Sequence, residues 1–94
     1  MNNKAREHQI KRYTDRIQEM LISKNKAYGS SALEPLNIFS KGKPSDSLCA
    51  RIDDKLARIK NVGISDKTED TVFDLIGYLI LLMISIEENE ERDI

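Results

Sequence analysis

Asp74 is the residue whose setting most needs a chemical explanation. It lies inside the run Val72–Ile86, where only Asp74, Gly77 and Ser85 interrupt apolar side chains. A carboxylate is rarely buried unless it is paired or bound to a metal. Asp70 falls one helical turn earlier and Tyr78 one turn later, and two carboxylates at i and i+4 can share one Mg²⁺ through oxygen ligands. The plain alternative is a structural ion pair from Asp74 to Arg51, Lys55 or Arg58. A second cluster is Arg51, Asp54, Lys55 and Arg58, whose i, i+3, i+4, i+7 spacing puts them on one helix face. That face is either a solvated, internally paired surface or a phosphate-binding one, with Arg supplying bidentate contacts and Asp53 or Asp54 a further metal ligand. The third cluster is Lys24, Lys26, Tyr28 and Gly29, which reads as a mobile basic loop able to close over an anionic ligand, with Tyr28 stacking on a base. Neither a Walker-type nor a Gly-x-Gly-x-x-Gly pattern is present. His8 stands alone on a polar segment, and Cys49, beside an apolar stripe with no His nearby, reads as core rather than nucleophile.

Three helices must position these groups. Ile10, Tyr13, Ile17, Met20 and Leu21 share one face at helical spacing, which predicts a first helix over about Lys4–Lys24. Residues 25–44 break the period. There Tyr28-Gly29-Ser30-Ser31 reads as a turn, and Ser31 is placed to cap a short helical turn from Leu33 to Leu36. A second helix is expected from Ser45 to Asn61, burying Leu48, Ile52, Leu56 and Ile59 and closing at Gly63. The third is expected to start at Ser65 or Asp66, with Asp66 and Glu69 at capping-box spacing, and to run to Ile86. It is apolar all round and must therefore be covered all round, which predicts homo-oligomerisation through it. Clustered acids oppose the dipole at a helix C-terminus, so the tail 87–94 is expected to be solvated and frayed.

Length and composition bound the rest. Ninety-four residues make one domain, 1–94, with no repeat or linker. A chain 39% apolar and 33% charged has the composition of an ordinary folded protein. Five aromatic residues and no Trp leave little for a single-strand stacking platform, so no nucleic-acid partner is expected. The net charge of −1 conceals a gradient: +2 over residues 1–22, +4 over 23–60 and −7 over 61–94. A basic middle suits phosphates and an acidic last third suits a divalent cation. The longest unbroken apolar stretch is Tyr78–Ile84, against roughly twenty residues for a bilayer span, so no membrane anchor is expected. One cysteine and no apolar leader after Met1 point to a reducing cytoplasm.

Taken in order, Lys24-Asn25-Lys26-Ala27-Tyr28-Gly29, then Arg51-Ile52-Asp53-Asp54-Lys55-Leu56-Ala57-Arg58, then Glu69-Asp70-Thr71-Val72-Phe73-Asp74-Leu75-Ile76-Gly77-Tyr78 resembles the nucleotide modification associated domain, type one. That family, common in phages and bacteria, is distantly similar to the MazG-like all-α NTP pyrophosphatases, and the resemblance covers about residues 20–84. It implies an α-helical, oligomeric, nucleotide-handling protein of a bacterial cytoplasm. In the MazG-like group, acids on two helices hold Mg²⁺ against the phosphates while water releases pyrophosphate. The counterparts here would be Asp70 and Asp74, with Glu69 adjacent. Helix one, however, offers only Asp15 and Glu19, and Thr71 stands three before Asp74, where that group's motif has Glu.

Two functions of different class follow as expectations. One is Mg²⁺-dependent hydrolysis of a nucleoside triphosphate, with Asp70 and Asp74 catalytic, Asp54, Asp70 and Asp74 on the metal, and Arg51, Lys55 and Arg58 on the phosphates. The other is a binder without turnover that sequesters a nucleotide or cyclic nucleotide signal, of the kind some small phage proteins use against host defence. Lys24, Lys26, Tyr28, Gly29 and Tyr78 would complete the ligand site in either case. A helical protein-interaction module is the third expectation.

Overall fold

A computed structural model of the chain describes residues 2–29, 32–33, 42–65 and 68–92, with the backbone alone for Glu69 and 89–92. Three helices follow in chain order, α1 (Asn3–Tyr28), α2 (Pro44–Val62) and α3 (Glu69–Arg92), and there is no strand among the described residues. The fold is an all-α bundle of three helices.

Helix α1 is longer than its apolar stripe. Asn2 accepts a hydrogen bond at its Oδ1 from the Ala5 N–H at 2.8 Å, which satisfies one of the free donors of the first turn. No residue from Lys24 to Tyr28 is Gly or Pro, so the helix continues until Gly29. Gly29 adopts φ 60° and ψ 40°, the left-handed conformation a glycine takes without steric cost, and its N–H donates to the Asn25 carbonyl. Lys24, Lys26 and Tyr28 therefore sit in the last turns of a helix and not in a mobile loop. That corrects the expectation.

Pro44 opens α2 at the position where its missing N–H costs nothing, and the Asp46 carboxylate accepts from the Lys43 N–H at 3.3 Å. Within α2, Leu48 is 1% exposed and is the best-buried apolar side chain described, whereas Leu56 is exposed. Cys49 is also exposed, so its expected place in the core is not observed. The turn before α3 is tied by Ser65 and Thr68. The Ser65 N–H donates to Thr68 Oγ1 at 2.9 Å, while the Thr68 N–H, at 3.0 Å, and its hydroxyl both donate to the Ser65 carbonyl. Asp66, Ser31 and most of the expected turn at Leu33–Leu36 lie outside the described residues. The backbone of α3 is helical to Arg92, beyond the end expected at Ile86.

Helix α3 packs mainly against α2 and more sparingly against α1. Gly77 lets α1 approach: a Cβ there would lie 3.0 Å from Met20 Cε and 3.3 Å from Leu21 Cδ2. The molecule is elongated, with a radius of gyration of 15.6 Å and extents of 48 × 32 × 26 Å. A compact chain of this length has a radius of gyration of about 12 Å. Among the described residues, no helix is long and apolar enough to cross a membrane.

Candidate functional site

The close approach at Gly77 pinches α1 against α3 and opens a cleft of about 410 Å³ next to the contact. That lies within the roughly 300–1,000 Å³ of small-molecule sites. Its apolar wall comes from Met20, Leu21, Leu48 and Leu81, and its polar rim includes Lys24, Arg51, Asp74 and Tyr78. The segregation follows from helical periodicity. Lys24 lies one turn past Met20 on α1, Arg51 three residues past Leu48 on α2, and Asp74, Tyr78 and Leu81 share one face of α3.

Asp74 is paired. Lys55 Nζ donates to its Oδ2 at 3.2 Å, and Lys24 Nζ lies 4.0 Å from its Oδ1. The carboxylate side chain is 32% exposed and that of Lys55 22%, so the pair is partly shielded but open to the cleft. Of the three cations expected as structural partners, Lys55 takes that place, and Lys24 joins it from the third cluster.

A second groove of about 270 Å³ is lined by Arg51, Asp54, Lys55, Arg58 and Tyr78. The helix face read from the i, i+3, i+4, i+7 spacing thus forms one surface with a tyrosine across from it. Arg51 and Tyr78 belong to both hollows, with the Arg51 guanidinium 5.9 Å from the Tyr78 ring centroid. A cation–π contact of this kind holds an arginine in place and contributes roughly 0.5–1 kcal/mol at exposed sites.

Of the expected site residues, Lys24, Tyr28, Arg51, Asp74 and Tyr78 line the cleft, and Arg51, Asp54, Lys55, Arg58 and Tyr78 line the groove. Lys26 and Gly29 line neither, and Asp70 is exposed on α3 outside both. Among the described residues, no group of three or more His, Cys, Asp or Glu side chains is placed to hold a metal ion. Two ammonium groups, those of Lys55 and Lys24, attend the Asp74 carboxylate. The cleft residues that the sequence did not single out are chiefly apolar or small: Met20, Leu21, Ser47, Leu48 and Gly77. A glycine within an otherwise apolar helix was the one available signal for them, since it marks a close helix–helix approach.

Comparison of the chain with protein-family models, with curated proteins and with solved structures finds no match.

Proposed function

We propose that the chain binds a phosphorylated nucleoside, or a signal molecule derived from one, across the two joined hollows. The observation that carries this reading is the shared Arg51–Tyr78 wall between an apolar-floored cleft and a groove bearing Lys55 and Arg58. A base and sugar suit the first, with Tyr28 and Tyr78 offering ring faces, and phosphates suit the second. Arginine meets phosphate with two parallel N–H donors, and charge-assisted bonds of that kind contribute about 1.5–3 kcal/mol each. The ordered resemblance to the nucleotide modification associated domain supports the same class of ligand. It also supports a setting in the cytoplasm of a bacterial cell, native or phage-infected, and a homo-oligomer using α3.

The two lysines beside Asp74 support binding as the first reading, with hydrolysis as the second. In this reading Mg²⁺ accompanies the nucleotide's own phosphates. Calorimetric titration with a panel of linear and cyclic nucleotides, with and without Mg²⁺, tests it. At least one should bind, and Arg51→Ala or Arg58→Ala should weaken it about tenfold or more, equivalent to about 1.4 kcal/mol. Unchanged affinity in both variants removes the proposed site. Pyrophosphate released from a triphosphate would move the assignment to the hydrolase.

A further inference from the structure

The charged side chains of the two joined hollows can be counted as well as placed. Among the described residues they are Lys24, Arg51, Lys55 and Arg58 against Asp54 and Asp74, a balance of +2. These charges are not equally committed. Lys55 Nζ lies 3.2 Å from Asp74 Oδ2 and Lys24 Nζ 4.0 Å from its Oδ1, so one carboxylate engages both ammonium groups. The Arg51 guanidinium stands 5.9 Å from the Tyr78 ring centroid. Neither Arg51 nor Arg58 is in an ion pair among the described residues. Two arginines on one groove, with Lys55 between them in sequence, are the donors left for an anion.

Partial shielding makes the balance matter. The side chains of Asp74 and Lys55 are 32% and 22% exposed, so water and salt screen the charges beside them only in part. A ligand more negative than the site would bring its surplus against the Asp54 and Asp74 carboxylates, and like charges brought together oppose binding. A less negative ligand would leave an arginine without a counter-charge. A phosphate monoester carries about −1.5 to −2 at pH 7 on three acceptor oxygens, which matches the balance. Those oxygens also suit the two parallel N–H donors of an arginine. A cyclic diester has fewer free oxygens and less charge, while each phosphate added to a chain makes the ligand more negative than the site.

We propose that the ligand is a nucleoside monophosphate, its terminal phosphate in the groove against Arg51 and Arg58 and its base and sugar in the cleft. This rests on the nucleotide reading given above and narrows it to a single, terminal phosphate.

Calorimetric titration compares the mono-, di- and triphosphates and the cyclic monophosphate of adenosine, guanosine, cytidine and uridine, each with and without Mg²⁺. For any base that binds, the monophosphate should be the tightest of its series, by about tenfold over the triphosphate. Asp54→Asn supplies the second arm, because it removes a negative charge from the groove. Asp54 is exposed on α2, so circular dichroism should stay helical. The triphosphate should then gain more affinity than the monophosphate and close much of the gap. A triphosphate or cyclic monophosphate bound as tightly as the monophosphate, in either condition, overturns the proposal and leaves the nucleotide reading standing. So does an Asp54→Asn protein in which the ratio of the two affinities is unchanged. Binding of no member of any series overturns the proposal and counts against the nucleotide reading itself.

Discussion

Asp74 separates two chemistries that the sequence alone leaves equivalent. In a metal site its charge is indispensable. In the proposed anion site it would hold Lys55 and Lys24 in readiness, and a phosphate would compete with it for both ammonium groups. Asp74→Asn is therefore expected to raise nucleotide affinity several-fold, which titration against the unaltered chain will measure. Loss of affinity with loss of a Mg²⁺ requirement would instead place a cation at Asp74. Arg51 carries the complementary prediction, because its stacking on Tyr78 keeps the guanidinium positioned before any ligand arrives. Tyr78→Ala should thus weaken binding even of a ligand that makes no contact with the ring. Tyr78→Phe, which keeps the π face, should restore it.

The elements differ in how firmly they are held. Leu48 joins α2 to the cleft wall and is 1% exposed, so Leu48→Ala removes buried methyl groups from that wall. A loss of about 2–5 kcal/mol in denaturant-unfolding free energy is expected. Gly77 governs how α1 meets α3. Alanine there gains up to about 1 kcal/mol of helix propensity. It displaces chiefly the flexible end of Met20, so the change should be close to neutral. Leucine cannot fit without moving α1. Gly77→Leu should cost about 1–3 kcal/mol by overpacking and abolish ligand binding with the helices retained, a pairing that melting curves and titration on one sample will show. The first half of α1 is exposed along nearly its whole length, and Asn2 caps a free end, so its capping bond governs local fraying more than global unfolding.

At the scale of the whole molecule, charge and apolar surface are divided between helices. The range of α1 holds seven basic and three acidic residues, while that of α3 holds seven acidic residues and one basic residue. With so few well-buried apolar side chains among the described residues, the proposed homo-oligomer would add stability through α3. Its melting temperature should then rise with protein concentration, because association favours the folded state by mass action. Calorimetric scans from dilute to concentrated samples check this. A constant melting temperature would mean that the folded single chain carries all of its own stability.

Much of this protein was legible in its residues. Helical periodicity located all three helices, Gly63 was recognisable as a helix stop, and the spacing of Arg51, Asp54, Lys55 and Arg58 already put them on one surface. These are local properties, decided within a few turns of one chain segment. What lies across from that surface is not local. The pairing of Lys24 with Asp74 depended on α1 running past its apolar stripe, and Tyr78 reached Arg51 because α3 packs on α2. Asp54, Asp70 and Asp74 were equally good metal ligands on paper; in the fold Asp74 lines the cleft, Asp54 lines the groove and Asp70 lines neither. Sequence determined which side chains each helix presents. Only the crossing of the helices decided which of them meet, because a carboxylate's partners are set by short distances between segments far apart along the chain.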